Sequence, residues 1–285
     1  MFKKVLQMTV CLLMIAFFIA GCRLDGEHAG SRNTIVVAGS TTVAPVMREL
    51  ATAFESLHDD IHVEVQELGT SAGINATIQG VSDIAMASRA ISEFETEQGI
   101  NSIAFAFDGV AVIVNPDNPI NDLSSDQITA IFRGNISNWR DVGGKDAAIT
   151  VVSREEGSGI RQTFETFANV QDEVQVGDST VMTSAVARPA IISQGTGSVI
   201  AAVSGNRNAI GYVTTGVVVE GLNPVAINGI MFSEETVLTG QYVFANTFFI
   251  GVMDDLSYLT QSFIDFILSE SGQDIVSNTG YVRVR

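Results

Sequence analysis

The sequence predicts an α/β fold with largely parallel sheets. Three observations carry this expectation. Short apolar strands alternate with segments of helical periodicity. Strand after strand runs into a Gly/Ser/Thr turn that opens a helix. The chain, 285 residues with 46% hydrophobic content and 26 glycines, is long enough to bury a large core, and long enough that one compact unit is not the default.

Residues 34–38 read as a short buried strand. Gly39-Ser40-Thr41-Thr42 follows, then a helical pattern over about 43–57 with Pro45 in its first turn, where the missing N–H costs nothing. Residues 61–65 alternate as a strand. Gly69-Thr70-Ser71-Ala72-Gly73 opens a helix that ends near Gly80, and 83–87, 103–107 and 110–114 read as three further strands. Beyond them, 124–132 and 158–168 carry helical patterns around a strand at 149–152. Strands at 209–213 and 248–252 and a helix over about 256–268 complete the reading. The strand, hydroxyl-rich turn and helix start recur at 39–43, 69–74 and 157–160, without any longer repeat.

Residues 1–21 have the pattern of a targeting segment. Lys3 and Lys4 precede a nearly unbroken apolar run from Met8 to Ala20, too short to span a bilayer comfortably but suited to a signal peptide. The run ends in Ile19-Ala20-Gly21-Cys22, which resembles a bacterial lipobox with Cys22 as the lipidated residue. Cleavage there removes Cys11 and leaves one cysteine, so neither a disulfide framework nor a cysteine metal site is expected. Residues 22–32 read as a polar tether. The remaining chain holds 13 basic against 32 acidic residues, with no basic cluster of the kind a nucleic-acid binder carries.

The recurrent turns carry the chemistry. A helix start offers unpaired N–H groups and about half a positive charge, glycine lets the backbone approach closely, and Ser and Thr add short donors. Turns of this kind bind anions without a basic surface. The acidic net charge is compatible with that, since distant surface carboxylates are screened over roughly 8 Å. Each turn taken alone is also an ordinary helix cap.

Their wording and order go further. Val37-Ala38-Gly39-Ser40-Thr41-Thr42-Val43-Ala44-Pro45, Gly69-Thr70-Ser71-Ala72-Gly73-Ile74 and Asp83-Ile84-Ala85-Met86-Ala87-Ser88-Arg89 resemble the PstS family, the binding proteins of phosphate importers. So do Asp108-Gly109-Val110-Ala111 and Arg154-Glu155-Glu156-Gly157-Ser158-Gly159-Ile160-Arg161, with Asn208-Ala209-Ile210-Gly211-Tyr212 and Gly272-Gln273-Asp274-Ile275-Val276 after them. The resemblance implies a two-lobed periplasmic-binding-protein fold of type II character, with 33–114 plus 246–285 as one lobe and 115–245 as the other. It implies phosphate held between the lobes by Ser40, Thr41, Thr42, Thr70, Ser71, Ser88, Arg89, Asp108, Arg154, Ser158 and Gly159. Arg154 would supply a guanidinium fork, and Asp108 a carboxylate that accepts the phosphate proton and repels sulfate. Partners implied are the permease of an ABC importer and, through Cys22, the membrane; no cofactor or metal is implied. Two departures stand out: Ile160 occupies a position where the family usually has threonine, and Arg89 one where part of the family has aspartate.

Gly69-Thr70-Ser71-Ala72-Gly73 also fits the G-x-S-x-G nucleophile elbow, but His28, His58 and His62 all precede Ser71, whereas that fold needs its histidine downstream. The chain is therefore not expected to be an enzyme. A binder of another oxyanion, sulfate or molybdate, and a surface protein for adhesion or signalling on the same fold remain open at this stage. The lipobox makes a direct prediction: Cys22→Ala should move the protein from the membrane fraction to the soluble one, as read by fractionation and immunoblot. Unchanged membrane association would refute the anchor.

Overall fold

The structure, a computed structural model, describes residues 33–177, 179–217 and 221–284. The expected signal peptide at 1–21, Cys22 and the tether at 22–32 lie outside the described residues. The strands are β1 (Asn33–Gly39), β2 (Ile61–Glu67), β3 (Ile84–Ala87), β4 (Asn101–Val114), β5 (Asp122–Leu123), β6 (Thr150–Arg154), β7 (Gln171–Val176), β8 (Ser179–Ser184), β9 (Ile191–Ser193), β10 (Ala209–Thr214), β11 (Asn223–Pro224), β12 (Ala226–Ile227), β13 (Ala245–Val252) and β14 (Val282–Arg283). The helices are α1 (Ala44–Ser56), α2 (Thr70–Ile78), α3 (Glu93–Glu97), α4 (Ser125–Phe132), α5 (Gly159–Phe167), α6 (Gly195–Ser204), α7 (Glu234–Leu238), α8 (Tyr258–Leu268) and α9 (Glu270–Asn278). Among them none is long and apolar enough to cross a membrane.

The main sheet runs β2-β1-β3-β13-β4-β10-β6-β9, with β11 and β14 also on β4. It is mixed: β1 and β3 are parallel, as are β10 with β6 and β6 with β9, whereas β13 runs antiparallel to both its neighbours. The organising strand is β4. Its first part pairs with β13 from Asn101 opposite Val252 to Gly109 opposite Ala245. Its last residues, Val110 to Val114, pair with β10 instead. Asp108-Gly109, read from sequence as a break between two strands, lies inside this one continuous strand.

The two ends of β4 serve different cores. Phe105 and Ala106 pack with Ile35, Met47, Leu50, Phe54, Phe248 and Phe263. Val110, Val112 and Val114 pack with Phe132, Trp139, Phe164, Tyr212 and Phe244. The alternate residues Ala111 and Ile113 face the opposite side, against Val199 and Val203 of α6. Both faces of the strand are covered, which is why it reads as an unbroken apolar run rather than an alternating one.

Most predicted elements appear within a residue or two of their expected ends. The helix α6 was not foreseen, because Gly195, Gly197 and Ser198 are poor helix formers and only Val199 and Val203 anchor it. The antiparallel pair β7–β8 was also missed, although Val174 opposite Val181 is a regular cross-strand couple.

The second core rests on an aromatic cluster. Phe164 stacks on Tyr212 with centroids 4.0 Å apart and meets Phe132 edge-on at 4.5 Å. Phe164→Ala removes the ring common to both contacts and should cost about 3–5 kcal/mol, measurable as a lowered denaturant midpoint. A loss under about 1 kcal/mol would show that the cluster does not hold this core.

Candidate functional site

The turns after β1, β3 and β6 and the starts of α2 and α6 meet at one buried place. Ser40 is fixed by its backbone, whose N–H donates to the Met86 carbonyl at 2.9 Å. Its hydroxyl donates to the Ser88 hydroxyl at 2.9 Å and accepts from the Thr42 N–H at 3.2 Å. Thr70 lies 3.3 Å from the Ser88 hydroxyl. Ser40, Thr42, Thr70, Ser88, Ser158 and Arg154 are all buried.

The second half of the chain closes onto this group. The Arg154 guanidinium donates to Thr41 at 3.0 Å and to Thr196 at 3.3 Å, and Thr42 and Thr196 lie 3.3 Å apart through their hydroxyls. The Ser71 N–H donates to the Gly157 carbonyl at 3.3 Å. Gly159 is packed so closely that a Cβ there would come within 2.4 Å of the Thr70 hydroxyl and 2.6 Å of the Ser88 hydroxyl. Only glycine allows this approach. Thr196 is the contact that sequence reading missed; Gly195-Thr196-Gly197-Ser198 after β9 is a fourth example of the turn device, and that wording was the available signal.

The helix starts at this site differ from those elsewhere. Away from it, α3, α4, α7, α8 and α9 each begin at a serine whose side chain accepts from the first turn: Ser92, Ser124, Ser233, Ser257 and Ser269. At the site, α1, α2 and α6 begin at Val43, Gly69 and Gln194, and none of these three residues contributes a side-chain cap, although the Gly195 N–H at the start of α6 donates to the Glu155 carboxylate at 3.2 Å. Only α5 is capped there, by Ser158. Helix starts without a cap from their own N-cap residue, and the positive ends of their dipoles, are thus gathered at one point, ringed by hydroxyls. That arrangement is chemically complementary to a tetrahedral oxyanion.

The charges are arranged with equal economy. Arg154 was expected to present its fork to the ligand, but Nε and Nη2 donate to the two Glu155 oxygens at 2.7 Å each. With Thr41 on Nη2 and Thr196 on Nη1, one Nη1 hydrogen is left uncommitted among the described residues. Burial pushes the Glu155 carboxyl up, but the hydrogen bonds and charge of Arg154 outweigh it and hold the group below its ordinary value. Arg89 is likewise engaged, donating to both Glu95 oxygens at 2.8 and 2.7 Å and to the Ser71 hydroxyl at 3.2 Å. Arg161 pairs with Glu165 at 2.7 Å and donates to the Arg154 carbonyl at 2.9 Å, so its part is structural, as its place one turn into α5 suggests.

Of the residues expected to bind, the structure brings together Ser40, Thr41, Thr42, Thr70, Ser71, Ser88, Arg154, Ser158 and Gly159, with Arg89 beside Ser71. Asp108 is not joined to them by any hydrogen bond. Both of its oxygens are taken by threonines: Thr214 donates to one, and the Thr215 hydroxyl, at 2.7 Å, and backbone N–H, at 3.2 Å, to the other. Among the described residues no cluster of His, Cys, Asp or Glu is arranged to hold a metal. His58 packs on the Phe54 ring and His62 on Glu55, a helix length of about 20 Å from the uncapped start of α1.

Comparison with known proteins shows the family to which the chain belongs. Residues 26–271 match the family described as the PBP superfamily domain. A phosphate-binding protein PstS from Borreliella burgdorferi is 27% identical over 96% of this chain and 98% of its own length. Among solved structures, one described as a phosphate ABC transporter substrate-binding protein with bound phosphate, from Clostridium perfringens, is 37% identical, with a TM-score of 0.82 over 89% of this chain and 100% of its own. An ABC-type phosphate transport receptor from Vibrio cholerae is 32% identical, with a TM-score of 0.72 over 87% and 99%.

The Arg154–Glu155 pair predicts a pH dependence. A carboxyl held below its ordinary value of 4.5 contributes stability that is complete above that pH and is lost as the pH falls through the depressed value. The melting temperature of the wild type should therefore exceed that of Glu155→Gln at pH 7, and the gap should narrow at pH 3. A gap that does not change with pH would refute the pairing.

Proposed function

The chain belongs to the PBP superfamily, in its PstS group of phosphate-binding proteins, and from that premise we propose that it captures inorganic phosphate in the cage around Ser40, Thr70 and Arg154 and delivers it to the permease of an ABC importer. The observation that carries this reading is the convergence on buried hydroxyls of three helix starts whose N-cap residues contribute no side-chain acceptor, while the five other described helices outside the site are capped by serines. A phosphate there would take the place of the missing caps. Its proposed contacts are Ser40, Thr41, Thr42, Thr70, Ser71, Ser88, Ser158 and Gly159, the uncommitted Nη1 hydrogen of Arg154, and Thr196. Arg89 would act at the rim by orienting the Ser71 hydroxyl.

The proposed lobes, 33–114 plus 246–285 and 115–245, are supported by the two cores, with Val110, Val112 and Val114 packing into the second. The contacts of Arg154 with Thr41, of Ser71 with Gly157 and of Thr42 with Thr196 then run from one lobe to the other, so the ligand would be enclosed as the lobes close. The superfamily is one of solute-binding proteins, and we assign this chain binding rather than catalysis. Support comes from Ser71, whose hydroxyl accepts from Arg89 and has neither described histidine beside it. Lipidation at Cys22 would keep the protein at the outer face of the membrane, within reach of the permease.

Titration of the purified protein with phosphate, sulfate and molybdate tests the assignment. Phosphate should bind tightest, and a preference for either of the others would overturn it. Arg154→Ala removes a charge-assisted donor worth roughly 1.5–3 kcal/mol and leaves the Glu155 carboxylate without its partner. Phosphate affinity should fall at least about tenfold; calorimetry showing wild-type affinity would remove Arg154 from the site.

A further inference from the structure

Asp108 is the most deeply buried carboxylate of the described chain that the proposed phosphate cage does not use. It sits where β4 passes from one core to the other: Phe107, before it, pairs with β13 and β14, and Val110, two residues after it, pairs with β10. Its acceptors are filled from one side only, by Thr214 at the end of β10 and Thr215 just beyond. The Gly109 N–H completes the cluster by donating to the Thr215 hydroxyl at 3.2 Å.

Among the described residues, no hydrogen bond or ion pair joins Asp108 to a cation. Opposite on β13 stands Asn246, whose amide donates to the Ser88 carbonyl. Before β13 stands Tyr242, with its hydroxyl on the Val110 carbonyl at 2.9 Å. The nearest charged side chain on β14, Arg283, pairs with Asp274 at 2.8 Å. Tyr281, just before β14, has its hydroxyl buried near Thr214 without a hydrogen bond of regular geometry. Burial raises the pKa values of both tyrosines, and the negative charge of Asp108 raises them further.

The same place is a seam between the two halves of the fold. A Cβ on Gly109 would meet the Phe232 ring at 2.5 Å, and one on Gly216 would meet the Tyr281 ring at 2.4 Å. Phe232 packs with the second core and Tyr281 with the first. At both contacts a ring from one core abuts glycine backbone, with no side chain on the glycine to lock them together.

We propose that Asp108 is a positioning residue for lobe closure, a carboxylate that ties the crossing point of β4 to the end of β10 and takes up a proton from solvent as the halves close. The proposal rests on the phosphate-binding reading, since it is phosphate that drives the closure. In the closed arrangement, burial pushes the Asp108 carboxyl up to about 6, against the opposing donors from Thr214 and Thr215. When the halves separate and water enters, its proton affinity returns toward the ordinary value of 3.8. Between these two values the closed form holds more protons than the open form, so closure draws a proton in and is favoured as the pH falls toward 4.

The experiment is calorimetric titration of the mature protein with phosphate at pH 6 and pH 8, in buffers of different ionisation enthalpy, which counts protons taken up per phosphate bound. Changes in the protonation of phosphate itself are common to wild type and variant and cancel in their difference. At pH 6 the wild type should take up about half a proton more than Asp108→Asn, and at pH 8 the two should agree. Thr215→Val, which deletes one donor to the carboxylate, should move the uptake to higher pH. Equal counts for wild type and Asp108→Asn at pH 6, or for wild type and Thr215→Val if the first variant does not fold, would overturn the proposal. So would a gain in sulfate over phosphate binding by Asp108→Asn, which would place the carboxylate against the ligand. Absence of phosphate binding by the wild type would reject the functional reading and the proton linkage with it.

Discussion

Both halves of this protein depend on one constraint, the continuity of β4 through two cores. A strand of 14 residues extends about 46 Å, and this one is buried on both faces for most of its length. Because β13 pairs with its first part and β10 with its second, the strands on both sides of it are referred to a single backbone. The converging turns follow strands on either side of it in this sheet: β1 and β3 on one side, β6 and β9 on the other. Their meeting within hydrogen-bond distance is a consequence of that shared reference.

Given that frame, the site needs little net charge. Arg154 and Arg89 each face a glutamate through a two-pronged ion pair, so neither brings an uncompensated cation to the cage. What remains is a field of oriented N–H and O–H dipoles, which act over about 3 Å and are little affected by charges a screening length away. An oxyanion site can therefore exist on a chain of net charge −17. The side chains that appear basic in the sequence serve mainly to hold other donors in place.

Much of this was legible before any coordinates. The strand-turn-helix alternation fixes the class, and the wording at 39–45, 69–74 and 154–161 names the loops that do converge. Less legible were features set by tertiary pairing. Asp108-Gly109 has the composition of a turn, and only the partners on β13 and β10 keep it extended. Arg154 has an acidic neighbour at each of the next two positions, and nothing in their order tells that Glu155 is the one that folds back on the guanidinium. Thr196 was obscured because a glycine-rich helix has no propensity signal; its place comes from Val199 and Val203 packing beneath it.

The uncapped starts of α1, α2 and α6 also bear on how this fold holds its stability. At each, the N-cap residue contributes no side-chain acceptor, a group typically worth about 1 kcal/mol elsewhere, though α6 has a substitute in the Glu155 carboxylate, which accepts from the Gly195 N–H at 3.2 Å. The backbone itself keeps two of these starts without a capping side chain: Val43 is helical rather than extended, and Gly69, at φ 88°, holds a conformation that a serine or aspartate adopts only with strain. A capping side chain there would set the protein's own oxygen where the proposed oxyanion would sit. On the proposed function the solute would supply such acceptors itself and complete the fold as its last structural component.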